Sequence, residues 1–370
     1  MLACLALALA QEPPHPGQVI AASSDCAACH VVPGVAAPSR AGSCDGCHRW
    51  VRDVSTDPAK RAKAMQVFPR WARYEKNVAS YFDVPDLGAS FARLDPDWIA
   101  RYLADPHDLR PSMPETMVRL GLDGAEIGEI ARWAATLSVV APGTPAPRQA
   151  NVPRGEQLFR ERGCGGCHDF GAASVTGVLP AAPDLRWARE RMSDDMIAAW
   201  ILDPQAVSAA ATMPALGLGD DDAIALRDYL VLADPGGTTA RAAVATAATS
   251  AATPRWDDVE SRVFGKICTH CHMDPAQNEG RRGPGNAGGF GWPATGLELQ
   301  TYESVVQNGD RIVAAIERRY AEEARDHVKP GEVPAAVSRP ELPGMPLGLP
   351  ALPADDFALV KAWYAAGAPR

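Results

Sequence analysis

The feature that most constrains this chain is the placement of its cysteines. Eight of the nine fall into four pairs, Cys26/Cys29, Cys44/Cys47, Cys164/Cys167 and Cys268/Cys271, with two residues between the members of each. A histidine follows every pair directly: His30, His48, His168 and His272. The chain holds only 8 histidines in 370 residues, so finding one after each pair is not coincidence. Only Cys4 lies outside the pattern.

Two thiols at this spacing stand on neighbouring faces of one helical turn, where they can add to the two vinyl groups of a haem. The following histidine then lies under the iron as its proximal ligand. The reading is therefore four covalently bound haem c groups, with all eight paired cysteines committed to thioethers and none left for a disulfide. Zinc is the first alternative, since Cys26, Cys29, Cys44 and Cys47 have 14 residues between the pairs, just short of a four-cysteine zinc spacing. Zinc does not call for a histidine after every pair. A thiol–disulfide oxidoreductase would need only one such motif.

Haem attached in this way implies export, and the first residues agree. Residues 1–10, MLACLALALA, form a short apolar run ending in small residues, which reads as a signal peptide for a periplasmic protein, although no basic residue precedes the run. Cys4 lies within that run and is a lipidation candidate only in a longer precursor. No later run reaches 18 apolar residues, so no transmembrane segment is expected in the mature chain. A net charge of −9 excludes nucleic-acid binding by bulk electrostatics.

Two shifts in composition divide the rest. A Pro-rich linker spans residues 139–153 and an Ala/Thr-rich linker spans 235–254, leaving domains at 11–138, 154–234 and 255–370. The first two share a repeat. Pro85-Asp86-Leu87 and Pro183-Asp184-Leu185 lie 98 apart, as do Asp105-Pro106 and Asp203-Pro204, while Met113-Pro114 and Met213-Pro214 lie 100 apart. Each copy reads as a Pro-Asp-Leu loop, a short helix ending at Asp-Pro, a Met-Pro loop and a terminal helix. Helical spacing in those last helices groups Ile127, Ile130, Ala134 and Leu137, then Ile224, Leu226, Tyr229 and Leu230, and in the third domain Phe357, Val360, Trp363 and Tyr364. The expected fold is all-α, with short helices and long loops, in keeping with 32 Gly and 33 Pro.

These motifs resemble the c-type cytochromes. From Gly155-Glu156-Gln157-Leu158-Phe159 through Cys164–His168, Pro183-Asp184-Leu185 and Met213-Pro214 to the terminal helix, residues 154–234 look like a complete class I cytochrome c domain. The resemblance implies a His/Met haem and contact between Phe159 of the first helix and Tyr229 of the last. Residues 11–138 read as a dihaem cytochrome c-like domain. Residues 255–370 are similar to planctomycete-type cytochrome c domains, through Cys268–His272, Gly296-Leu297-Glu298-Leu299 and the ending Met345-Pro346 to Ala368, with no counterpart around His327 and Pro330.

The sixth ligand decides whether a haem carries electrons or acts on a bound molecule. Met113, Met213 and Met345 are the methionines followed by proline, and each precedes a terminal helix, so they are the expected distal ligands. One of the first two haems is then left over. Gly17 lies 9 residues before Cys26, as Gly155 lies 9 before Cys164, which starts the domain at Cys26. Against this, Pro85 follows His30 by 55 residues but His48 by only 37, with 15 in the second copy, and this count favours Cys44 with Met113. For the remaining haem the candidates are His15, His107, Met65 or an open position. Met273 is excluded by adjacency to His272, His270 reads as a partly exposed filler of its motif, and His327 reads as a surface residue, with ligation of the third-domain haem as the alternative.

The resulting expectation is an electron carrier rather than an enzyme. It would run between a quinol-oxidising complex or dehydrogenase upstream and a terminal oxidase or reductase downstream, after assembly by cytochrome c maturation machinery. The alternatives are a haem subunit fixed in a larger oxidoreductase, or a multihaem peroxidase or reductase using an open sixth position. Residues 40–76 hold 9 basic and 4 acidic residues, whereas 183–234 hold 4 and 10. That is either ordinary solvated helix surface or a dipole that steers different partners to different ends.

Overall fold

A computed structural model describes residues 13–38, 43–68, 71–72, 75, 84–106, 109–110, 117, 120–141, 147–148, 151–174, 179, 182–234, 253–273, 296–323, 342, 344–346 and 351–370. Residues 1–10 with Cys4, the candidates Met113, His107 and His327, and the side chains of Cys44 and His270 lie outside this set. Among the described residues all regular structure is helical and no strand occurs.

The described residues between 13 and 141 build two cores. The larger is formed by α1 (Pro16–Ser23), α4 (Leu87–Arg93), α5 (Pro96–Ala104) and α6 (Gly124–Leu137), which bury Ala21, Phe91, Trp98, Ile127, Ile130 and Trp133. Start signals are explicit: Asp86 and Asp95 cap α4 and α5 through their carboxylates, and Asp123 with Glu126 closes a capping box on α6. The smaller core lies between α2 (Cys44–Thr56) and α3 (Pro58–Val67), where Val51, Val54, Ala64 and Trp71 are buried. Trp50 meets Trp71 edge-on at 5.5 Å.

The second repeat uses the same plan. Helix α7 (Val152–Glu161) crosses α9 (Asp220–Leu232), and α8 (Asp194–Leu202) packs beside them over Leu158, Phe159, Phe170, Ile197, Leu226 and Tyr229. The expected contact of Phe159 with Tyr229 is present, at 5.6 Å between ring centroids. Helix α9 begins two residues before Asp222 and is buried almost all round, which is why its apolar stripe reads weakly in sequence.

Glycine is required at both crossings. A Cβ on Gly155 would lie 2.1 Å from the Ala225 carbonyl oxygen, and one on Gly17 would lie 2.2 Å from that of Glu129. Each pair of helices meets backbone to backbone at the first turn of the helix that precedes its cysteine motif.

The last core is built from α10 (Trp256–Val259), a π-helical turn at Glu260–Phe264, α11 (Tyr302–Gln307), α12 (Gly309–Glu323) and α13 (Ala354–Ala365). Trp256, Phe264, Tyr302 and Trp363 form one aromatic group, with centroids 5.7 to 6.3 Å apart. No described helix is long and apolar enough to cross a membrane.

Candidate functional site

Three of the four cysteine motifs adopt one geometry. Cys26–Ala28, Cys164–Gly166 and Cys268–His270 are single 3₁₀ turns. In each, the first cysteine's carbonyl accepts from the histidine N–H, at 2.8, 2.9 and 2.9 Å for His30, His168 and His272. Asp25 and Gly163, just ahead of the first two turns, share the left-handed conformation, with φ of 54° and 70°. The fourth motif is built differently: Cys44–His48 is the first turn of the continuous helix α2, capped by Ser43, whose hydroxyl accepts from Gly46 N–H at 2.9 Å.

Each of the three histidines is also tied across to a distant loop. His30 Nδ1 lies 2.7 Å from the Pro85 carbonyl oxygen, His168 Nδ1 2.8 Å from that of Pro183, and His272 Nδ1 3.2 Å from that of Leu297. A carbonyl only accepts, so Nδ1 is the protonated nitrogen and Nε2 carries the lone pair. A second bond locks each loop: Leu87 N–H to Val31, Leu185 N–H to Asp169, and Leu299 N–H to His272, at 2.9, 2.8 and 2.8 Å. The Pro-Asp-Leu repeat is thus the device that orients the imidazole.

Burial, the largest influence, pushes all four motif histidines below the usual imidazole range and so favours the neutral ring. Asp45 acts in the opposite direction on both His30 and His48, so this one carboxylate sits within reach of both motifs. Burial also pushes the Cys26 thiol up to about 11 and the Cys268 thiol up to about 12, and raises Cys164. A dithiol oxidoreductase needs the reverse, a thiol lowered toward neutrality.

The structure reverses the weight given to the residue count. It is His30, not His48, that bonds Pro85, and α1 ahead of Cys26 crosses the terminal helix α6 as α7 ahead of Cys164 crosses α9. Met213 is half-buried, and its carbonyl accepts from Gln205 Nε2 at 2.8 Å, so Gln205 braces the Met-Pro loop. Met345 is half-buried and its N–H donates to Ala315 of α12 at 2.8 Å. Met65 is 46% exposed on α3. His15 caps α1, its Nδ1 accepting from Gly17 N–H at 3.0 Å, at the end of that helix remote from Cys26.

Many acids of the 183–234 stretch serve the fold. Asp184 and Asp203 cap helical turns, Asp194 and Asp222 pair with Arg148 and Arg154, and Asp228 is buried against Arg227. That weakens the case for an acidic docking face.

Sequence reading missed one cluster. Arg93, at the end of α4, and Arg191, at the end of the single turn Ala188–Arg191, lie 98 apart and so are equivalent in the repeat. The structure brings them together, and the repeat offset already in hand would have paired them.

No family model matches the chain, no curated protein matches it, and no solved structure matches it.

Proposed function

We propose that the chain is a periplasmic tetrahaem c-type cytochrome that transfers electrons between respiratory donor and acceptor proteins. The observation that carries this reading is the histidine geometry. Three separate Cys-x-x-Cys-His turns each hold the imidazole by Nδ1 on a loop carbonyl and leave Nε2 to a metal. A cleft beside the first motif is lined by Cys29, His30, Val32, Val35, Asp45 and Arg49.

In this reading Cys26, Cys29, Cys44, Cys47, Cys164, Cys167, Cys268 and Cys271 would hold four haems by thioethers, and His30, His48, His168 and His272 would ligate the iron. Met213 and Met345, on loops braced by Gln205 and by Ala315, would be the second ligands of their haems, and by the repeat Met113 would serve the Cys26 motif. Haem supplies one-electron uptake and release. The protein's part is to fix ligand direction, exclude water with the Phe159, Phe170 and Tyr229 group, and keep the sites rigid. Haem content of the purified, periplasmically expressed chain, measured as the pyridine complex against protein mass, should be four. Fewer than four overturns the count.

A further inference from the structure

The contact between the first two repeats is made by an exchange of equivalent arginines. The Arg93 guanidinium lies over the ring of Trp200 at 5.4 Å, and that of Arg191 over Trp98 at 5.3 Å. Each arginine therefore reaches out of its own repeat onto an indole of the other. Trp98 in turn stacks on Tyr102, with centroids 5.0 Å apart. Two backbone bonds clamp the same contact: Asp95 N–H to the Arg191 carbonyl and Asp184 N–H to that of Leu109, both 2.7 Å.

The electrostatics of this junction are incomplete as it stands. Burial, then the charges of Arg93 and Arg110, push Arg191 down to about 10, with Tyr102 acting weakly the other way; burial lowers Arg93 as well, offset in part by the Asp86 carboxylate, and the Arg93 guanidinium also donates to the Ala89 carbonyl. Arg191 Nε is sealed from solvent and has no hydrogen-bond acceptor. Among the described residues neither Arg93 nor Arg191 makes an ion pair, although ion pairs are plentiful elsewhere. Indole faces attract a guanidinium, but they do not cancel the repulsion between the two half-buried arginines. Such a cluster fits an anion, and planar, bidentate donors fit carboxylates best.

We propose that Arg93 and Arg191 form a carboxylate site at this junction. Its occupants are the propionates of the haems on the Cys26 and Cys164 motifs, whose edges meet there as the internal electron-transfer junction. This rests on the haem reading above. Both arginines are placed for it. Arg93 ends the helix that starts at the Pro85 loop holding His30, and the Arg191 charge reaches His168. Propionates arriving from both sides would neutralise the cluster and give Arg191 Nε its acceptor.

The test is a potentiometric titration of the holo-protein with R93Q and R191Q, alongside haem content. Removing a cation beside a haem disfavours the reduced state, which carries one more negative charge. Each variant should lower two of the four redox transitions, shifting the oxidised-to-reduced ratio at fixed potential about tenfold, or about 59 mV for one electron. The other two transitions serve as the internal reference. Loss of the arginine also frees a propionate to take up a proton, so the two shifted transitions should become pH-dependent. R93K, which keeps the charge, should shift less, and it carries the comparison if R191Q does not fold. Four haems with no shift overturns the site while leaving the cytochrome reading intact. A wild-type midpoint that follows phosphate concentration at constant ionic strength also overturns it, because the anion is then a free one. A chain without haem at Cys26 or Cys164 overturns both.

Discussion

Replacing Gly155 by alanine tests whether the helix crossing at the second repeat sets its stability. The added Cβ would lie 2.1 Å from the Ala225 carbonyl oxygen, 2.5 Å from Tyr229 Cβ and 2.9 Å from the Ala225 carbonyl carbon. Ordinary C···O contacts are about 3.3–3.6 Å, so α7 and α9 must separate by more than 1 Å along that line. Overpacking of this kind costs about 1–3 kcal/mol, and a backbone obstacle that cannot rotate away puts G155A at the upper end. Alanine returns at most about 1 kcal/mol of helix propensity, leaving a net loss of about 2 kcal/mol. Gly128 in the middle of α6 is the control: its Cβ would meet only the guanidinium end of Arg132, at 3.4 Å, so G128A should gain up to about 1 kcal/mol. The cores need not unfold together, so hydrogen exchange read separately on α7, α9 and α6 suits this better than one melting curve. G155A should speed exchange in α7 and α9 and leave α6 unchanged, while G128A slows α6. Unchanged or slower exchange in α7 and α9 of G155A would refute the crossing argument.

Phe159 is 1% exposed and touches both Phe170 and Tyr229. F159A should destabilise the second repeat by about 3–5 kcal/mol, seen as loss of its amide protection under conditions where the third core stays protected. In the third core, burial pushes the Tyr364 phenol well above its ordinary 10.0, while its hydroxyl donates to Val305 O at 2.9 Å. Above pH 10 the unfolded chain ionises this phenol and the folded one does not, so stability is fully present below pH 10 and falls as pH rises beyond it. Denaturation followed from pH 8 to 11.5 should show that fall in the wild type and a smaller one in Y364F; equal slopes would remove Tyr364 as the cause.

Where the sequence speaks through short, repeated signals, it is legible. The 98-residue offset located both Pro-Asp-Leu loops, and their function as histidine anchors is the bond from His30 to Pro85 and from His168 to Pro183. Helix α6 could be read because half its surface faces water and its apolar residues recur at helical spacing. Helix α12, the 15-residue Gly309–Glu323, was not read. It carries eight charged or tyrosine side chains among apolar ones, and Arg319 is buried within it, paired with Glu322. The arginine exchange was equally hidden, because arginine is ordinarily a surface residue, and only tertiary packing gives Arg93 and Arg191 a shared environment.

The conflict between residue counts has a structural origin. The loop from His30 to Pro85 spans 55 residues, whereas that from His168 to Pro183 spans 15, yet both end in the same Nδ1–carbonyl bond. The extra 40 residues contain Cys44–His48, α2 and α3, with a core of their own around Val51 and Trp71. The second motif is therefore an insertion into the first repeat, not a rival for its Pro85 loop. Chain order then differs from order of contact: the Cys26 motif shares Asp45 with His48 on one side and meets the second repeat through Arg93 and Arg191 on the other. Deleting residues 39–78 restores the 15-residue spacing and tests this directly. The shortened chain should lose one haem of the proposed four, keep the slow exchange of α1 and α6, and retain haem at Cys26. Loss of haem at both Cys26 and the deleted motif, with α1 and α6 exchanging freely, would show that residues 39–78 are part of the first repeat's own fold.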